Sequence, residues 1–265
     1  MASQTTRCFA LGLGLLLAGC TRKEPSAESS SPGAQPPPTA DPAPAPSTAS
    51  APAPSPGRSL EALAVLCASA QPGGRLACDD LADRYARGTG VTIDLPHAAQ
   101  LYDKACNEGL SLGCRHLAGM TAAGRGVPQD RARAIALYTK ACEAGLGLGC
   151  DDLGDLYAEG IGGPAEPARA APWYQRGCDA GLAGACGHLA RLYRDGAGVA
   201  RDPAQAVALY DKGCAAGNEL TCDDLGDVYA KGLGVPADRA KAAIYYGKAC
   251  TAGFDLACDH LRGVK

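Results

Sequence analysis

Phe, Met and Trp are scarce: the 265 residues hold two Phe, two Met and one Trp, which argues against a broad core of large rings and against a wide sheet sandwich. A basic excess is also missing. Lys and Arg total 25 against 28 Asp and Glu, a net charge of −3, which gives no field to hold a phosphate backbone and argues against nucleic acid as a partner. No apolar run reaches the roughly 20 residues that span a bilayer as a helix. Serine nearly vanishes past residue 60, where only Ser69 and Ser111 remain, and no S-x-x-K, S-D-N, K-T-G, G-x-S-x-G, H-E-x-x-H or Walker element occurs. What is present instead is 35 Gly, 19 Pro and 14 Cys. So many cysteines, even in number, point to an oxidising compartment.

The N-terminal residues read as an export segment. Arg7 precedes the apolar run Cys8 to Ala18, too short for an anchor helix and suited to a signal-peptide core. The tetrapeptide Leu17-Ala18-Gly19-Cys20 resembles the bacterial lipobox, with an ordinary secretory signal and an incidental cysteine as the alternative. That resemblance implies that residues 1–19 are removed and Cys20 is lipidated. Thr21 stands where an inner-membrane retention signal would carry Asp, which by analogy favours the outer membrane, with the protein facing the periplasm. Residues 20–58 then form a linker in which 11 of the 19 prolines lie among Ala and Ser. Such a stretch has little to bury and should be disordered and largely polyproline II, reaching on the order of 100 Å when extended.

The remaining twelve cysteines obey one period. Cys78, Cys114, Cys150, Cys186, Cys222 and Cys258 stand 36 apart, as do Cys106, Cys142, Cys178, Cys214 and Cys250. A fixed period of this length signals a solenoid, here of five full units with partial units at both ends. Each unit divides into two helices. In the third, Leu153, Gly154, Tyr157 and Ala158 lie on one face of a helix A that stops at Gly160. Equivalent stops are Gly88, Gly124, Gly196 and Gly232. An acid follows at Asp94, Asp130, Glu166, Asp202 and Asp238, placed to cap a helix B that carries Tyr102, Tyr138, Tyr174, Tyr210 or Tyr246. The third unit departs from the pattern at Gly163, Pro172 and Trp173, and Pro172 predicts a local kink.

The string G-x-G-V, an acid, then A-x-x-x-Y-x-K-A-C-x-x-G resembles the Sel1-like repeat, a relative of the tetratricopeptide repeat. The added C-x7-C punctuation resembles the family's cysteine-rich secreted branch known from Helicobacter. The resemblance covers residues 59–265 and implies an all-α domain: a right-handed α/α superhelix of 36-residue helix pairs whose A helices line a concave groove. It further implies a scaffold or adaptor that binds a protein, a peptide or peptidoglycan. Some cysteine-rich relatives are described as β-lactam-binding proteins or weak β-lactamases, which makes that activity the alternative.

Each C-x7-C crosses the turn from helix B to the next helix A. Disulfides Cys106–Cys114, Cys142–Cys150, Cys178–Cys186, Cys214–Cys222 and Cys250–Cys258 are therefore geometrically easy, and Cys67–Cys78 closes a turn three residues longer. Pairing like cysteines of stacked units is not easy, because helices about 8–10 Å apart exceed the reach of a disulfide, about 7 Å between Cα atoms. Zinc is the rival reading, but no C-x2-C occurs. Neither a metal nor a cofactor is expected, and the chain should be a monomer held to the membrane only by its lipid.

Two residues past each A-helix cysteine, Asp80, His116, Asp152, His188, Asp224 and His260 alternate strictly. Asp83, Asp155, Arg191 and Asp227 follow the same two-unit rhythm, as do the preceding Asp79, Asp151 and Asp223 against Arg115 and Gly187. Helical geometry puts positions two, five and nine opposite the packing face, so they should line the groove. Three readings compete: contacts between neighbours left by duplication of a 72-residue unit, a groove for cationic or amine-bearing ligands, and metal binding. The candidate groove residues are Asp80, Asp83, His116, Asp152, Asp155, His188, Arg191, Asp224 and Asp227. No catalytic residue emerges, since every repeat cysteine has a partner and neither late serine has a base.

Overall fold

A computed structural model describes residues 59–69, 71 and 73–264. The signal segment, Cys20 and the linker, expected over residues 1–58, lie outside the described residues. Twelve helices and no strands occur among those described. The B helices are α1 (Leu60–Ala68), α3 (Leu95–Asn107), α5 (Arg131–Glu143), α7 (Pro167–Asp179), α9 (Pro203–Ala215) and α11 (Arg239–Thr251). The A helices are α2 (Gly74–Arg87), α4 (Ser111–Ala123), α6 (Gly147–Ala158), α8 (Ala183–Asp195), α10 (Glu219–Lys231) and α12 (Asp255–Val264). Each helix packs on its chain neighbours, and α4, α6, α8 and α10 also touch in succession, giving a solenoid with A helices on the crowded inner side. None of these helices is long and apolar enough to cross a membrane.

Local chemistry sets the boundaries. Gly88, Gly124, Gly160, Gly196 and Gly232 take φ between 66° and 73°, the left-handed conformation that ends a helix without a Cβ penalty. The chain then turns back onto itself: the amide of Asp94, Asp130, Glu166, Asp202 or Asp238 donates to a carbonyl nine residues earlier. Four of these acids cap the next helix, Asp94, Asp130, Asp202 and Asp238 each accepting from the amide three residues on. Glu166 does not cap α7. Its longer side chain reaches sideways to Arg169 and Arg131 at 3.0 and 3.5 Å. Pro172 does not interrupt α7, which runs unbroken for 13 residues.

Packing explains how so few aromatics suffice. At the turns between B and A helices the elements meet through the smallest side chains: a Cβ on Gly113 or Gly149 would stand 2.8 Å from that of Ala105 or Ala141. Leu117, Leu153, Leu189 and Leu225, equivalent in successive units, are fully buried, and the B-helix tyrosines lie beside them. Six disulfides join the pairs expected from the spacing, with Cα–Cα distances of 4.5–4.8 Å. Their presence points to an oxidising, exported environment. Lys104 and Lys140, in the last turns of α3 and α5, donate to the carbonyls of Cys67 and Cys106 in the preceding unit, which ties stacked B helices together.

Candidate ligand-binding groove

The polar stripe sits on the A helices as its spacing requires, and it makes two kinds of seam. In the first, His Nδ1 of one A helix faces the carboxylate one residue past the cysteine of the preceding unit. The pairs are His116–Asp79 at 3.1 Å, His188–Asp151 at 2.9 Å and His260–Asp223 at 2.9 Å. A carboxylate only accepts, so Nδ1 carries the proton. Each imidazole also leans on a B-helix tyrosine, with centroids 4.9–5.1 Å apart for Tyr102–His116, Tyr174–His188 and Tyr246–His260. Those three tyrosines donate in turn to Asp83, Asp155 and Asp227.

The second seam alternates with the first. Arg115 Nε donates to Asp152 at 2.6 Å, and Arg191 Nε donates to Asp224 at 2.9 Å. Asp80 would belong to this series, but no unit precedes it with an Arg, and it stands exposed at the start of the row. Of the nine residues expected along the groove, eight are therefore engaged with neighbours. The alternation of Asp and His is a record of which residue meets which across each seam. The most buried carboxylates of the network are Asp79 and Asp223, one position earlier than the stripe named for the groove.

Burial and pairing shape the ionisation. Desolvation raises the carboxyl of Asp152 above its usual range, opposed by Arg115, and does the same to Asp155, opposed by the Tyr174 hydroxyl and His188. The hydrogen bond to Asp151 raises His188, opposed by burial. Asp227 moves the other way: burial pushes it up, but hydrogen bonds from Lys231 and Tyr246 bring it below the ordinary value. Donor atoms of Asp151, Asp155 and His188 lie within 4.8 Å of one another, a spacing compatible with a metal ion. The His188–Asp151 and Tyr174–Asp155 hydrogen bonds account for that cluster as an internal network.

On the inner face lies an opening that the stripe does not fill. Asp83, Arg87, Arg115, Tyr138 and Asp152 are among the residues lining a cavity of about 380 Å³ between α2, α4 and α6. Gly119 is part of its lining and occupies the position held by Asp83, Asp155, Arg191 and Asp227 in other units. Gly119, Arg125 and Tyr138 were not among the expected groove residues. The legible signal was a single glycine breaking an otherwise charged series.

A disulfide-stapled solenoid of two-helix units with a polar inner face defines a helical-repeat scaffold. The chain belongs to the Sel1 repeat family, whose model matches residues 75–110, 111–146, 148–182, 183–218 and 222–254. Proteins built from this repeat generally mediate protein–protein interactions. The solved structure of c5321, a protective antigen present in uropathogenic Escherichia coli strains and displaying an SLR fold, is 28% identical with a TM-score of 0.63; the match covers 76% of this chain and 43% of that one, so this chain spans less than half the antigen's length. A Sel1 repeat protein from Oxalobacter formigenes is also 28% identical with a TM-score of 0.63, covering 77% of this chain and 82% of that one. Cysteine rich protein B of Helicobacter pylori is 31% identical over 51% of this chain and 97% of its own, with a TM-score of 0.40. No curated protein sequence matches.

Proposed function

We propose that the chain is an envelope-anchored scaffold that binds a protein or cell-wall ligand in the groove lined by its A helices. The observation that carries this reading is the open polar cavity on the inner face of the array, beside a seam network that holds its walls in register. Signal cleavage before Cys20 and lipidation of that cysteine would place the repeats on a proline-rich stalk at the outer membrane, facing the periplasm. The six disulfides fit that compartment. Neither late serine is set up as a nucleophile: the Ser69 hydroxyl donates to the Leu66 carbonyl and Ser111 opens α4, so nothing favours β-lactam hydrolysis.

Crosslinking in intact cells followed by identification of the captured species tests the reading. A specific envelope protein or peptidoglycan fragment should be recovered with the native chain. It should be lost, with the fold intact, when the cavity is filled by substitution. Replacing Cys20 with Ala should move the protein from the membrane fraction to the soluble fraction. Recovery of no specific partner, or membrane retention of the Cys20 variant, would overturn the corresponding half of the proposal.

A further inference from the structure

Five equivalent tyrosines reach from the B helices toward the inner face, and four of their hydroxyls have partners. Tyr102 donates to Asp83, Tyr174 donates to Asp155 at 2.7 Å and Tyr246 donates to Asp227 at 2.6 Å, while Tyr210 accepts from Arg194 Nη1 at 3.1 Å. The Tyr138 hydroxyl has none among the described residues, although Tyr138 is only 8% exposed. The reason lies in the sequence. In three of the pairs the acceptor stands nineteen residues before the tyrosine, and nineteen before Tyr138 is Gly119. A Cβ placed on Gly119 would already lie 3.3 Å from the hydroxyl oxygen, so a carboxylate there would reach it. No buried side-chain oxygen lacks a partner among the described residues, so the Tyr138 hydroxyl is open to the cavity, where it stands as a donor free to meet a ligand. Burial pushes the phenol further up, so it stays protonated and able to donate.

The cavity left by that missing side chain contains a second uncommitted donor. Among its charged walls, Arg115 is paired with Asp152 at 2.6 Å and Arg87 with Asp83 at 3.1 Å, and His116 bonds Asp79. Arg125 lines the same cavity, and no side-chain partner holds its guanidinium among the described residues. The other units carry Thr89, Ile161, Ala197 and Leu233 at that position, so the cation is peculiar to this place in the array. One unneutralised positive charge and one free phenolic O–H call for an acceptor of a single negative charge. A planar carboxylate meets both demands. An ammonium group would face an uncompensated guanidinium, and a phosphate dianion would carry more charge than the walls can balance.

We infer that the cavity between α2, α4 and α6 binds a carboxylate of a peptide segment, with the Tyr138 hydroxyl and the Arg125 guanidinium as its donors. The inference deepens the groove-binding role proposed above and gives the ligand a chemical class opposite in charge to the cationic one suggested by the acidic stripe, because the acids lining this cavity, Asp83 and Asp152, are already paired.

The test is an NMR titration of the full oxidised protein with three probes: N-acetyl-trialanine as the free acid, its C-terminal amide, and the amide of N-acetyl-alanyl-glutamyl-alanine. Saturable binding of the first or the third, but not the second, is expected, and the stronger of the two identifies a chain terminus or an acidic side chain as the source. Gly119→Asp restores the arrangement of three sister units and should weaken binding at least about tenfold, as should Tyr138→Phe and Arg125→Gln. Far-UV circular dichroism confirms that each variant is folded. Failure of both carboxylate probes to bind, equal binding of the uncharged amide, or undiminished binding to folded Gly119→Asp overturns the inference. Specific crosslinking to a partner without carboxylate binding would remove this inference and leave the scaffold role standing, and the reverse result would do the opposite.

Discussion

Removing the bridge between Cys178 and Cys186 by double substitution to Ala probes what the staples contribute. Nine residues are closed by this bond, so the loop-entropy relation gives about 2.6 kcal/mol of lost stabilisation. Both cysteines are buried, at 0% and 2% exposure, within the cluster containing Tyr174, Leu189 and Tyr210. Deleting the two sulfurs there removes contacts worth roughly 1–2 kcal/mol more, for a total of about 4 kcal/mol. The bridge Cys250–Cys258 closes a loop of the same length, but both its cysteines are only partly buried. Its removal should cost about 2.6 kcal/mol or less, so the difference between the two variants isolates packing from chain entropy. Equilibrium urea unfolding followed by far-UV circular dichroism measures both. The central variant should also split the transition into two steps, because each unit is held only by its neighbours. A loss below about 1 kcal/mol for the central pair, or a larger loss for the terminal pair, would refute the reasoning.

Other consequences are as specific. Arg115→Met leaves the half-buried Asp152 without its cation, so stability should fall by about 1–3 kcal/mol at neutral pH and partly recover on acidification, as read from urea midpoints. The sign follows because a carboxyl raised on folding favours the native state below its unfolded pKa, and that advantage is lost as pH rises through the folded value. His188 is raised by its bond to Asp151, so its contribution is present below the unfolded imidazole pKa, about 6.5, and lost as pH rises through the folded value. His188→Gln should remove that part of the pH dependence of Tm between about pH 5.5 and 8. Gly154→Ala places a Cβ 2.4 Å from the Tyr174 ring, and thermal unfolding should show a loss of about 1–3 kcal/mol, even though Ala82, Ala118 and Ala190 occupy this position in other units.

Much of the fold could be read from spacing, because a solenoid repeats its solution. The glycine stops, the capping acids and the cysteine pairs each recur at 36 residues, so one correctly placed unit places the rest. Glu166 shows the limit: it occupies a capping position, yet its reach and the nearby Arg131 and Arg169 draw its carboxylate away. The groove was harder to read. Helical periodicity placed the stripe on the A helices, but which carboxylate meets which cation depends on the stagger between neighbouring helices, and no single helix encodes that. Hence Asp79, Asp151 and Asp223 turn out to be the histidine partners, while Asp152 and Asp224 pair with arginines. The cavity at Tyr138 depends on an absent side chain, and an absence is visible only when the units are laid over one another.

The two alternating seams also constrain how such an array can change length. Excising the single unit that begins at Cys186 would bring Asp151 and Asp152 against Asp223 and Asp224, carboxylates facing carboxylates with no His or Arg between them. Excising two consecutive units would again set His or Arg across the new seam from its acids. Loss or gain of units is therefore electrostatically tolerated in steps of two, so the electrostatic unit of this array is the helix quartet, although the unit of its fold is the helix pair.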